Sequence, residues 1–286
     1  MQIFDRRNPS LPEAVFDRLL DTSRKHTWLR RRHERLEQLL ASCASNDERL
    51  LICDILDRFT YVNGDYLADC LEKIGNRIVK TWGCTNDNTV IVAMDKSRYA
   101  DSSSAIAWMI KPVLADLGDW ETNTIYKNLT DAINAVEDGQ KIVVVDEFVG
   151  SGKTLSGRLK WISDELKTKG KSVEIYVAIV AAMEICKQKD FSCAADFYAT
   201  IWMKQAINDY CSGKDLDDAI ALMLGMEGAL HPAYGNLQMK KYSLGYKKTQ
   251  SAYYLENGNP PNNNFPIFWW KLMKDGTRRR PLLPRV

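Results

Sequence analysis

Histidine is scarce, with only His26, His33 and His231 in 286 residues. The seven cysteines, Cys43, Cys53, Cys70, Cys84, Cys186, Cys193 and Cys211, are odd in number and include no Cys-x-x-Cys pair. That pattern suits neither a disulfide framework nor a zinc site. No apolar run reaches the roughly 18 residues of a membrane span, and Met-Gln-Ile-Phe-Asp-Arg-Arg at the start lacks the apolar core of a signal peptide. The expectation is a cytoplasmic protein with no membrane partner. Excess charge is lacking too: the net charge is +2 and the pI near 8.1. The overall balance therefore does not demand nucleic acid, and any basic surface must be local. What is present is 45% hydrophobic residues. That supplies a full core for one large α/β domain, or for a domain with a helical appendage.

Residues 141–158 carry the most chemistry. Ile142 to Val145 is a continuous apolar, β-branched run suited to a strand buried on both faces of a parallel sheet. Asp146 and Glu147 follow at its carboxyl end, where open α/β sheets place ligands. Gly150-Ser151-Gly152-Lys153-Thr154 then turns the chain, and its glycines let backbone N–H groups approach an anion. Leu155, Leu159, Ile162 and Leu166 keep helical spacing from about Thr154, so a helix N-terminus faces the same spot. A Walker A loop needs a glycine five residues before Gly152, but that position holds Glu147, whose charge would oppose a triphosphate. A strand-turn-helix junction with acids placed only for the helix dipole is the structural alternative.

The run Val-Val-Val-Asp-Glu-Phe-Val-Gly-Ser-Gly-Lys-Thr resembles the phosphoribosyl-diphosphate motif of type I phosphoribosyltransferases. The resemblance implies that Asp146 and Glu147 bind the ribose hydroxyls and that Gly150, Ser151, Gly152, Lys153 and Thr154 cradle the 5-phosphate. Carboxylates suit sugar hydroxyls because they only accept hydrogen bonds. In some purine-using members the first turn position holds an aspartate proposed as a base; here it is Gly150, which puts that role in doubt.

Around this unit, residues 1–80 read as an N-terminal helical region and 81–286 as an α/β domain with an irregular C-terminal cap. Helical spacing begins after Pro12 with Val15, Phe16, Leu19 and Leu20. Arg24, Lys25, His26, Arg30, Arg31, Arg32, His33 and Arg35 then make a basic cluster. It fits either a nucleic-acid or acidic-partner surface, or a solvated face whose stems cover the core. Residues 47–62 continue as helix until Asn63-Gly64, and a further helix is expected over about 65–80. Thr89 to Met94 is a strand ending at Asp95, Lys96, Ser97 and Arg98, after which Ser102, Ser103 and Ser104 start a helix that Pro112 kinks or ends. These residues suit a pyrophosphate loop, although capping alone explains the serines. Further strands are expected near 123–126, 172–181 and 197–203, with helices at 129–137, 154–169 and 216–230, the last interrupted by Gly225 and Gly228. The alternation predicts a mainly parallel twisted sheet with helices on both faces. Cys186 and Cys193 read as buried structural thiols. The aromatic, proline- and asparagine-rich stretch 260–270 fits either a pocket wall or a seal over the sheet.

Taken with the Asp101-Ser102-Ser103 helix start, the ending Gly245-Tyr246, Thr249-Gln250-Ser251 and Pro261-Asn262-Asn263-Asn264-Phe265-Pro266-Ile267-Phe268-Trp269 looks like the phosphoribosyltransferase-like effector family of bacterial conflict systems. The resemblance spans about residues 45–270. It implies a toxic effector of an antiphage locus, retron-associated, held inactive by a reverse transcriptase and its structured RNA/DNA. It also implies a phosphoribosyl-type small molecule or nucleotide as ligand and Mg²⁺ as the ion, with transfer or cleavage at the anomeric carbon. A catalytically inactive nucleotide-sensing or partner-binding module is the alternative, and homo-oligomerisation stays open.

Overall fold

In the computed structural model, residues 12–94, 102–121 and 124–285 are described. In chain order the elements are α1 (Glu13–Lys25), α2 (His33–Ala41), α3 (Asn46–Asp57), β1 (Thr60–Val62), α4 (Gly64–Asn76), β2 (Thr89–Ala93), α5 (Ser102–Met109), α6 (Lys111–Leu117), β3 (Ile125–Tyr126) and α7 (Leu129–Ala135). They continue with β4 (Lys141–Val149), α8 (Lys153–Thr168), β5 (Glu174–Met183), β6 (Asp196–Met203), α9 (Gly213–Gly228), β7 (Ala233–Tyr234), β8 (Leu237–Gln238) and β9 (Tyr253–Leu255), with short 3-10 and π turns between. The chain forms two units: Met1–Tyr61 with Ala206–Ala252 and Asn264–Val286, and Val62–Gln205 with Tyr253–Asn263.

The second unit is an α/β sandwich around a five-stranded sheet of order β3-β2-β4-β5-β6, parallel throughout. Its strands are nearly continuous apolar runs because both faces are covered. On one face, Val143, Val145, Ala178 and Val180 pack with Leu67, Leu71 and Ile74 of α4, Ile106 of α5 and Leu114 of α6. On the other, Ile142, Val144, Val177 and Ile179 pack with Leu129 and Ile133 of α7 and with Leu155, Leu159, Ile162 and Leu166 of α8. The four α8 residues are those whose spacing marked the helix. Pro112 lies in the first turn of α6, so it restarts the helix rather than bending one.

Three expectations are corrected. The helix expected over 47–62 stops at Asp57, because Thr60-Tyr61-Val62 is β-branched and aromatic and forms β1. Gly225 does not interrupt α9, which runs unbroken to Gly228; one interior glycine costs about 1 kcal/mol, too little to break a packed helix. Central strand β4 does not end at Val145 but continues through Asp146 and Glu147 to Val149.

Along β4 the register stays constant: pairing with β5 runs Asp146↔Ile179 and then Phe148↔Ala181, with Glu147 and Val180 between them at the same level. Pairing of β5 with β6 likewise runs from Ile179↔Ala199 to Ala181↔Ile201. The side-chain alternation nevertheless slips at this level: Val145 and Phe148 pack in one core cluster although three residues apart, as do the adjacent Val180 and Ala181. The slip falls beside the two acids.

The other unit is mainly helical. Arg18 of α1 bonds Asp54 of α3 at 2.7 Å and Asp57 at 3.0 Å. Arg24, Lys25, Arg30, Arg31 and His33 are exposed, while Arg32 and Arg35 donate to the carbonyls of Leu282 and Pro281 at 2.7 and 2.9 Å. Phe265, Ile267, Phe268, Trp269 and Trp270 are buried, so this part of the C-terminal stretch is core. Leu244, Lys247, Lys248 and Gln250 all take positive φ, a strained run for residues with a Cβ. Buried Gln250 accepts from the N–H groups of Ile207 and Asn208 at 3.2 and 2.9 Å and ties this loop down.

Candidate functional site

The site is built at the carboxyl edge of β4. Asp146 and Glu147 are 7% and 5% exposed, so two carboxylates on adjacent residues are held almost out of water. One Asp146 oxygen accepts the backbone N–H of Glu147 at 2.7 Å. Phe148, next in the strand, stacks on Tyr253 of β9 with centroids 4.8 Å apart and planes at 20°. The Tyr253 phenol is held well above its usual ionisation range, by burial first and then by the charges of Glu147 and Asp146. It is a neutral hydroxyl at any physiological pH.

After Val149 the chain turns through Gly150, Ser151 and Gly152 into α8. Gly152 sits at φ 73°, the left-handed region that favours glycine. A Cβ there would also lie 3.0 Å from Phe191 Cζ and 3.1 Å from both Cys186 Cβ and Lys189 Cγ. Space and conformation both require glycine. α8 starts at Lys153 with no side-chain cap, whereas Ser45, Asn63 and Asn128 accept from the N3 or N2 amides of α3, α4 and α7. The first-turn amides of a 16-residue helix are thus left to face the turn, the arrangement that attracts anions. Lys153 and Thr154 are exposed and Ser151 is half-buried, so their polar groups remain within reach of a ligand.

The structure therefore brings together Asp146, Glu147, Gly150, Ser151, Gly152, Lys153 and Thr154. Asp95, Lys96, Ser97 and Arg98 lie outside the described residues, as do the side chains of Ser102 and Ser103; the serines do open α5, which follows the carboxyl end of β2. Tyr253 carried no expectation from the sequence, whereas Asn263 belongs to the 260–270 stretch expected as a pocket wall or a seal. Asn263 is 9% exposed and stands against Gly150. Among the described residues, two surface cavities lie away from it: one of about 420 Å³ beside Gly170, Ser172 and Cys193, and one of about 190 Å³ beside Pro112, Trp120 and Ile125. The first includes exposed Cys193, which corrects the expectation of a buried thiol; Cys186 is buried, as are Cys43, Cys53, Cys70 and Cys84.

No cluster of three or more His, Cys, Asp or Glu side chains that could hold a metal occurs among the described residues. Mg²⁺ needs no such cage, since it binds through one or two carboxylates together with ligand phosphates. Asp146 and Glu147, hard oxygen donors beside a phosphate-type turn, fit that mode. Among the described residues no helix is long and apolar enough to cross a membrane.

A buried acid pair near a parallel strand's end, leading through a glycine turn to an uncapped helix, defines an α/β protein with an acidic and amide-rich edge. The family comparison narrows this: residues 36–285 match the PRTase-CE model, and the chain belongs to that phosphoribosyltransferase-like family. No curated protein matches. Similar solved structures include a hypoxanthine-guanine phosphoribosyltransferase from Leishmania tarentolae in complex with GMP, at 17% identity over 52% of this chain and 82% of that one, TM-score 0.36. A xanthine-guanine-hypoxanthine phosphoribosyltransferase from Helicobacter pylori matches at 16% identity over 52% and 95%, TM-score 0.32. A hypothetical protein from Neisseria gonorrhoeae with bound ppGpp matches at 13% identity over 57% and 96%, TM-score 0.35.

Proposed function

We propose that the chain binds a phosphoribosyl-type sugar phosphate at the carboxyl edge of β4 and transfers or cleaves at its anomeric carbon, on nucleotides or nucleic acid. The observation that carries this is the pair of nearly buried carboxylates directly before a turn that opens onto uncapped helix amides. Asp146 and Glu147 accept from the ribose hydroxyls. The amides of Gly150 to Thr154, with the Ser151 and Thr154 hydroxyls and the Lys153 ammonium, hold the 5-phosphate. We assign Lys96 and Arg98, with Asp95, Ser97, Ser102 and Ser103, to the leaving pyrophosphate. Mg²⁺, when bound through Asp146 or Glu147 and the ligand's own oxygens, supplies charge neutralisation at the leaving group. Catalysis is then positioning and electrostatics. In the cell the proposal is a cytoplasmic toxic effector of an antiphage system, of the retron type, restrained by a reverse transcriptase and its structured nucleic acid.

A second reading, a nucleotide-sensing or partner-binding module without turnover, is favoured by one fact: the sheet unit contains no histidine, since His26, His33 and His231 all belong to the helical unit. The first turn position, Gly150, carries no side chain either.

The test is calorimetric titration of the full chain with 5-phosphoribosyl 1-diphosphate, with and without Mg²⁺, alongside mass spectrometry of nucleotides and RNA from cells expressing it. An Asp146→Asn, Glu147→Gln double variant is the control. Saturable binding with new ribosylated products or released bases, both lost in the control, supports the enzyme. Binding without any product supports the module, and no binding in either form ends both readings.

A further inference from the structure

Gly150 is a glycine for a reason its backbone does not supply. It is absent from the positive-φ residues, among which Gly152 stands at 73°. An ordinary residue could adopt its backbone conformation. What forbids a side chain is space: a Cβ on Gly150 would fall 2.6 Å from Oδ1 of Asn263, and nearer still to its Cγ and Nδ2. A contact that close would push the end of the Asn263 side chain aside, so the glycine admits the carboxamide to the turn. Asn263 closes the segment 253–263, which belongs to the sheet unit and also brings Tyr253 beside the acids. The chain thus delivers two neutral polar groups, a phenol and a carboxamide, to an edge already holding two carboxylates and a set of backbone amides.

The chemistry of a carboxamide at this point is specific. It offers two N–H donors and one acceptor and carries no charge. A carboxylate in its place would only accept, and would repel both a phosphate and the acid pair. An apolar group in its place would offer neither donor nor acceptor.

Resting on the sugar-phosphate reading of the site, we infer that Asn263 is a ligand-binding residue, its carboxamide donating to an oxygen of the sugar phosphate held over the Gly150–Thr154 turn, and that Gly150 is kept free of a side chain to let it do so. The two positions act as one unit. Substituting Gly150 by alanine displaces the end of a side chain rather than the backbone, so the fold survives and the carboxamide loses its place.

The experiment is titration of wild type, Asn263→Ala, Asn263→Asp, Gly150→Ala and the Gly150→Ala, Asn263→Ala double variant with 5-phosphoribosyl 1-diphosphate, each first shown by thermal melting to be folded. Loss of one hydrogen bond to a charged ligand weakens binding roughly ten- to hundred-fold. Asn263→Ala and Gly150→Ala are each expected in that range, and the double variant no weaker than either single one. Asn263→Asp, the closest in shape, is expected to bind worse than Asn263→Ala, because its charge opposes the phosphate. If wild type binds and the variants bind equally well, or the two single losses multiply in the double variant, the Asn263 assignment is overturned while the site reading stands. If wild type does not bind, the site reading falls and takes this inference with it.

Discussion

The sharpest energetic prediction concerns Glu227, on the buried face of α9 and 3% exposed. Its carboxylate accepts the Ser243 hydroxyl at 2.6 Å and the Leu244 N–H at 3.0 Å. Burial outweighs those bonds and pushes the acid from its ordinary 4.5 up to about 7. The folded protein therefore holds a proton that the unfolded chain has released, and stability falls as pH rises. The contribution is fully present below about pH 4.5 and gone above about 7. At about 1.36 kcal/mol per pH unit it is worth roughly 3 kcal/mol. Glu227→Gln keeps the size and mimics the protonated form, so it removes the dependence. Urea unfolding of both proteins between pH 5 and 8 should show the variant gaining on wild type by roughly 3 kcal/mol, most steeply below pH 7 and levelling off above it. Parallel unfolding curves for the two proteins would refute the argument, since every other titrating group is shared.

Other perturbations follow from single contacts. Gly75 of α4 faces α6, where an added Cβ would meet Val113 Cγ1 at 2.6 Å and Leu117 Cδ1 at 3.0 Å; Gly75→Ala should cost about 1–3 kcal/mol in chemical denaturation despite alanine's better helix propensity, and Val113→Ala in that background should recover part of it. Native thiol labelling should modify exposed Cys193 first and half-buried Cys211 more slowly. Cys43, pushed by burial up to about 12, and Cys53, Cys70 and Cys186, pushed to about 11, should resist until unfolding, and a fast phase surviving Cys193→Ser would contradict this. Asp146→Asn, Glu147→Gln should raise the melting temperature of the ligand-free protein, by about 1–3 kcal/mol equivalent, while abolishing sugar-phosphate binding; a fall in melting temperature would assign the acids a structural role instead.

The sheet was legible because its strands are buried on both faces: Thr89–Ala93 and Ile142–Val145 are unbroken apolar runs that fit no solvent-facing element. Helix α8 was legible for the complementary reason, four leucine or isoleucine positions at helical spacing. The extension of β4 through Asp146 to Val149 was not, because acids are poor strand formers and their burial here depends on neighbouring strands. The slip in side-chain alternation along β4 and β5 belongs to how they pack, to which each strand's own periodicity is blind. The approach of Asn263 to Gly150 is likewise a tertiary fact. A glycine-rich turn is expected to use glycine for its backbone, and Gly152 does; that Gly150 serves a neighbour's side chain becomes visible only when the two are placed together.

These unread features bear on whether the junction is merely structural. Acids placed to complement a helix dipole belong in the first turn of the helix or at its cap, exposed, where each contributes about 0.3–1 kcal/mol. Asp146 and Glu147 are instead inside the strand, nearly buried and adjacent, and the first turn of α8 contains no acid at all. Burying two like charges costs more than any dipole returns at that distance. The slip in side-chain alternation at this level of the sheet, the glycine that yields to a carboxamide and the helix left uncapped all fall within the same few residues. A sequence selected only for a stable strand-turn-helix would place apolar residues at 146 and 147, a capping side chain at 152 and no need for Asn263. Local departures from the stable choice that converge on one edge are the pattern that the proposed sugar-phosphate site would select for.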